Sequence, residues 1–162
     1  MARLLAKLYD RAKYGDSSPD YALLTQHSRD VVVACDALAI AAGRNALLNA
    51  GIDMETFERF RLTLRTNGWI QDLGKASSHF QKMVTTEPQI KQLVRHETIS
   101  GILIWLEPRL RKWLSSLPEM TLIAAAWGAV GHHRKFDEQT TSTNVLPLTV
   151  QVAHPDYCIN PF

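Results

Sequence analysis

Cysteine is scarce: only Cys35 and Cys158 occur in 162 residues. They show no CxxC spacing and no disulfide-rich setting. That excludes a disulfide scaffold and fits a reducing compartment, the cytoplasm. Cys35 lies in an apolar helical run and reads as a small buried residue. Long hydrophobic runs are lacking as well. The longest apolar stretches, such as residues 122–130, fall far short of the roughly 20 residues of a membrane span, so no membrane partner is expected. The N-terminus is broken by charge every few residues and reads as an amphipathic helix, not a signal peptide. An excess of charge of one sign is lacking too. A net charge of +2 is low for a dedicated duplex binder. A nuclease manages with less, because metal ions supply local positive charge. Composition therefore neither supports nor excludes nucleic acid.

What is present suits one ordinary domain. Apolar residues make up 46% and charged residues 21%, enough for a single core. No repeat or low-complexity tract interrupts it. The patterning predicts a mostly helical chain. Leu4, Leu5, Leu8 and Ala12 would form the apolar face of a helix over residues 2–14, followed by a loop at 15–20. A long helix is expected over 25–50, capped by Thr25 or Ser28 and stopped by Gly51. His27, Val31, Ala34, Leu38 and Ala41 would lie on its buried face. Asp53 would cap a third helix to about residue 65, with Asn67-Gly68 as a turn. A helix carrying Phe80 and Met83 follows. Pro88 would open a fifth helix, with Ile90, Leu93, Val94, Ile99, Leu103 and Leu106 as its apolar positions. Pro118-Glu119 would open a sixth, ending near Gly131-His132-His133. Beyond it the chain turns polar, and residues 148–152 alternate with period two, as a short strand or hairpin does. The ending Asn160-Pro161-Phe162 does not look like a natural domain end and suggests a piece of a longer protein.

Six histidines are present: His27, His79, His96, His132, His133 and His154. Four of them, with Asp72, sit beside expected helix ends or on apolar faces. Imidazole and carboxylate are the usual ligands of Mn, Fe, Co, Ni and Zn. A bridging carboxylate also suits a two-metal phosphodiester hydrolase. In mid-helix, adjacent side chains such as His132 and His133 diverge by about 100°. At a helix end they can converge, and Gly131 would permit close approach of other groups. Taken alone, the pair suits two exposed turn histidines as well. Asp72-Leu73-Gly74-Lys75 is not a phosphate-binding loop, since Ala76 follows Lys75 and no glycine stands five residues before Gly74. Taken alone, Asp72 reads as an N-cap. His96, between Arg95 and Glu97, and His27 read as hydrogen-bonded boundary residues.

Their order is what distinguishes them: His27, Asp72, His96, then His132-His133. It resembles the HD metallohydrolase superfamily. The wording of Gln26-His27-Ser28-Arg29-Asp30-Val31, Asp72-Leu73-Gly74-Lys75-Ala76-Ser77-Ser78-His79-Phe80-Gln81, Arg95-His96-Glu97 and Gly131-His132-His133 resembles one branch of it. That branch is the CRISPR-associated HD nuclease domain that accompanies a helicase in type I interference. The resemblance covers about residues 23–136. It implies an all-α bundle around one or two divalent metals (Mn, Co, Ni, Fe or Zn, with Mg as a further candidate) that cuts single-stranded DNA. Carried over by position, His27 would ligate the first metal and Asp72 would bridge. His96, His132 and His133 would complete the second site. Lys75 would lie near the scissile phosphate.

Two departures stand out. The superfamily's His-Asp doublet is Gln71-Asp72 here, and a neutral amide is a weaker ligand than imidazole. The first metal position should be weakened and the second more complete. The family's later aspartate has only Asp137 and Asp156 as candidates. Lys75, His79, Arg95, Arg134 and Lys135 would handle the DNA backbone. Trp69 and Phe136 are candidates for stacking bases, although the core is the reading their residue type favours. His154 falls outside the pattern. Two other functions stay open: an HD-type nucleotide phosphohydrolase, and a non-catalytic HD module of a CRISPR effector. Both the effector and a helicase, in the same protein or another, are the implied partners.

Overall fold

The computed structural model describes residues 3–86 and 93–133. Among the described residues there are eight α-helices: α1 (Arg11–Tyr14), α2 (Leu24–Leu38), α3 (Arg44–Asn49), α4 (Phe57–Ile70), α5 (Ser78–Thr85), α6 (His96–Leu106), α7 (Pro108–Leu114) and α8 (Glu119–Gly131). A wider π turn, Ala39–Gly43, joins α2 to α3, and short 3-10 turns precede α2, α4 and α5. Among the described residues there is no strand, only an isolated antiparallel bridge between Leu5 and Leu23. The fold is all-α.

The bundle is built around α4, which packs against α2 on one side and α8 on the other, while α6 lies against α8. The central core joins Ile70, Ile104, Leu114, Ala125, Ala126 and Ala129. Small residues on α8 allow close packing. Gly128 is one of them: a Cβ there would meet the Asn67 side chain. A second core, of Leu5, Ala22, Leu23, Phe80 and Val84, seats the N-terminal segment on α5.

Several expectations need correction. The helix over 2–14 does not form; only Arg11–Tyr14 is helical. Residues 4–6 instead run extended beside 22–24, with Ala6 N–H donating to Ala22 and Leu24 N–H to Leu4. Burial of Leu5 and Ala6 in that pairing outweighs local helical periodicity. The long helix over 25–50 is present in outline, with Gly51 at positive φ just past its end. It starts at Leu24, its cap position is Leu23 with no side-chain cap, and Ser28 lies buried inside α2. Its buried face runs through Leu24, Ser28, Val32, Ala39 and Leu47, while Ala34, Leu38 and Ala41 are exposed. Cys35 is half-buried.

That helix also corrects the reading of hydrophobic runs. Leu24–Asn49 is 26 residues long and, by length and composition only, apolar enough to cross a membrane. Asp36 and Arg44 interrupt its apolar run without lowering its average enough to fail that test. Here it packs along α4, where Asp36 accepts two hydrogen bonds from Arg61, at 2.6 and 2.9 Å.

Asn67-Gly68 is not a turn. α4 continues through it to Ile70, because Gly68 lies against the Val32 backbone and Asn67 Nδ2 donates to the Ala125 carbonyl at 2.9 Å. α6 starts at His96, leaving Leu93 and Val94 outside it and Leu106 exposed. Glu107 ends α6 and caps α7, a helix the patterning did not separate. The expected Pro88 start, Ile90, the strand at 148–152, and Arg134, Lys135, Phe136, Asp137, His154, Asp156 and Cys158 lie outside the described residues.

Candidate metal centre

Three helices and one turn deliver the site. His27 comes from the first turn of α2, His96 opens α6, and His132-His133 follow the end of α8. Asp72 precedes the 3-10 turn Leu73–Ala76 and occupies its cap position, but its side chain caps nothing. Freed from that role, a carboxylate only 3% exposed faces four other groups.

Its two oxygens divide those groups. Oδ2 accepts from His27 Nε2 at 2.8 Å. Oδ1 lies 3.0 Å from Lys75 Nζ, 3.0 Å from His96 Nε2 and 3.6 Å from His132 Nε2. His132 Nδ1 stands 2.7 Å from the Ala129 carbonyl. A carbonyl oxygen only accepts, so Nδ1 carries the proton and a neutral ring turns the Nε2 lone pair toward Asp72. The rings of His132 and His133 lie 4.1 Å apart between centroids, and those of His96 and His133 5.0 Å. One ligand atom each from Asp72, His96, His132 and His133 falls within 4.8 Å of the others.

Asp72 Oδ1, His96 Nε2 and His132 Nε2 are buried yet make no aligned hydrogen bond. Buried lone pairs facing one another are unfavourable unless positive charge lies between them. A divalent cation bound by three imidazoles and one carboxylate meets that need, so the residues fit the group. Protons respond to the same field. Burial works to lower the His132 pKa, but Asp72 and the Ala129 carbonyl overcome it and raise the value. Burial also opposes ionisation of Asp72, yet contacts with His132, His96 and Lys75 hold its carboxyl well below the usual carboxylate range. His133 is lowered by burial and by the neighbouring His132 and His96.

Lys75 lies half-buried beside Asp72, its Nζ 5.9 Å from the Phe80 ring centre, and Phe80 packs edge-on to His96. Arg95 is exposed and ion-paired with the buried Glu97. His79 is outside the cluster: its Nε2 accepts from the Leu93 N–H at 3.1 Å. Trp69 is 39% exposed, which corrects its reading as a core residue. Gly131 gives no close approach, because a Cβ there would meet nothing within 4 Å. The tight glycine is Gly74, where a Cβ would run into the His96 carbonyl.

The patterning did not single out Ser100 or Gln81. Ser100 bridges Gly74 N–H and the Gln71 carbonyl. Gln81 exchanges hydrogen bonds with Leu5 and donates to the Lys75 carbonyl. Gln81 stands inside the quoted phrase, which was the one available signal. Ser100 had none.

An all-α bundle that gathers a His-Asp cluster from helix ends is an HD-type domain. The family model described as Cas3, HD domain, matches residues 11–153, and the chain belongs to that CRISPR-associated family. It is similar to a Myxococcus xanthus protein named CRISPR-associated nuclease/helicase Cas3, 35% identical over 162 residues. The match covers 97% of this chain and 21% of the relative, so the chain spans about a fifth of that protein's length. No solved structure matches it.

Proposed function

We propose that this chain is a metal-dependent nuclease domain that cuts single-stranded DNA in type I CRISPR interference. It would act in the cytoplasm with a CRISPR effector complex and with a helicase in the same protein or another. The observation that carries the reading is the convergence of Asp72, His96, His132 and His133 at one point, buried on the side of Asp72 and His96 and open to solvent at His133.

Those four residues would hold one divalent ion. Three imidazoles favour Mn, Fe, Co, Ni or Zn over Mg. When bound, the ion supplies Lewis acidity toward a phosphate oxygen and lowers the pKa of water. The chain's own groups prepare the site. His27 donates to Asp72 Oδ2 and fixes the carboxylate's direction. The Ala129 carbonyl fixes the His132 tautomer. Lys75, beside Asp72, supplies positive charge where a phosphate would develop negative charge. At the first metal position only His27 and Asp72 Oδ2 meet, and they already bond each other; in the sequence, Gln71 stands where the superfamily's doublet has histidine. This supports one well-held ion and a weak second one.

The test is cleavage of single-stranded and duplex DNA by metal-stripped protein reloaded with Mn, Co, Ni, Mg or Zn. Single-strand cleavage that needs a transition metal and falls to background in Asp72→Ala is expected. Metal bound without cleavage would defeat the nuclease reading and leave a structural site. No bound metal would remove its premise.

A further inference from the structure

The two segments that carry Asp72 and His96 meet at one hydroxyl. Ser100 is fully buried, at 0% exposure. Its Oγ accepts from the Gly74 N–H at 2.9 Å and donates to the Gln71 carbonyl at 2.8 Å. These partners stand on either side of Asp72 in the chain. Ser100 itself lies about one helical turn after His96 on α6. One side-chain atom thus ties both flanks of the carboxylate to the helix that carries the imidazole.

The bridge is closely specified. Gly74 is pressed against α6 so tightly that a Cβ would run into the His96 carbonyl and stand 2.9 Å from Ile99 Cβ. Only a residue without a side chain brings its N–H to that position. Only a small hydroxyl donates and accepts from one atom in so little space. With alanine at 100, the Gly74 N–H and the Gln71 carbonyl would lose their partner in a site closed to water. The turn would then relax away from α6, carrying Asp72 Oδ1 from its place 3.0 Å from His96 Nε2.

We propose that Ser100 is a positioning residue for the metal centre, the hydroxyl that holds Asp72 and His96 at the separation at which both take one divalent cation. The inference rests on reading Asp72, His96, His132 and His133 as that centre. Ser100 touches neither the ion nor DNA. It sets the geometry of the groups that do.

The experiment is a Co(II) titration of the full chain followed by visible absorption, without DNA, on wild type, Ser100→Ala, Ser100→Cys and Phe57→Leu. Phe57 is buried at the opposite end of α4, about 20 Å of helix from the end that leads to Asp72. Its truncation reports on stability loss alone. Ser100→Ala should bind Co(II) about 10- to 100-fold more weakly, as loss of an outer partner of a ligand does, with an altered ligand-field spectrum. Ser100→Cys, whose thiol is a longer and weaker bridge, should fall between. Phe57→Leu should keep its affinity within about twofold, as a distant site does.

Unchanged affinity and spectrum in Ser100→Ala would overturn the positioning role while leaving the metal centre intact. A wild type that binds no Co(II) would overturn the metal centre and this inference with it. Should Ser100→Ala not fold, Ser100→Cys and the wild-type Gly74 amide decide the matter. Slow exchange at that amide in metal-free protein is expected, and exchange as fast as an open loop would overturn the bridge.

Discussion

Asp72 serves different partners with its two oxygens, and the division predicts unequal consequences for its neighbours. His27 bonds Oδ2, while His96, His132 and Lys75 approach Oδ1. On the proposed reading, His132→Ala would remove a ligand from the better-formed position. His27→Ala removes only an orienting partner there, so Mn or Co affinity should fall by about tenfold and by clearly less than in His132→Ala, as read by calorimetric titration. Gln71→His should raise stoichiometry toward two ions and raise cleavage with it. If it changes neither, the amide is not what weakens the first position.

The residues of this cluster were nameable from their order in the chain, but their division between two oxygens was not. Ser100 was invisible, and Asn67 read as a turn residue, for a related reason. Each satisfies backbone groups 26 or more residues away, and such pairings leave no local pattern.

At the scale of elements, periodicity located the helices where packing agreed with it and failed where packing did not. Residues 4–6 have helical spacing, but pairing with 22–24 and burial under α5 decide their shape. Asn67-Gly68 has turn chemistry, yet lies inside α4 because helix contact needs it there. Propensity alone says that Gly68→Ala should stabilise a helix by roughly 1 kcal/mol. The structure says the opposite. A Cβ at 68 would stand 3.1 Å from Val32 Cα and 3.2 Å from Val32 N, and backbone cannot swing aside. α2 and α4 would have to separate, and overpacking of that kind costs about 1–3 kcal/mol. Urea denaturation of Gly68→Ala should therefore show a lower midpoint. A higher one would mean that α2 and α4 part freely and that close approach is not what glycine provides.

At the scale of the whole molecule, α2, α6, α8 and the turn after α4 converge on the cluster, so its ionisation couples to folding. The His132 pKa is raised above its unfolded value near 6.5. Its contribution to the metal-free protein is fully present below that value and is lost as pH climbs through the folded one. The His133 pKa is lowered from 6.5. Its protonation opposes folding at low pH, and that penalty disappears as pH rises toward 6.5. Their two contributions to the metal-free protein together peak near 6.5, with the alkaline decline belonging to His132.

A cation held as proposed would reverse the alkaline limb. It would compete with the proton for His132 Nε2, so affinity should climb over the pH range in which the protonated ring stops stabilising the fold. Urea midpoints in chelator should fall as pH rises from about 6.5 to about 9, and should hold or rise over that range with saturating Mn. His132→Gln should flatten the decline in chelator. If the decline persists in that variant, the proton that links pH to folding sits on another group.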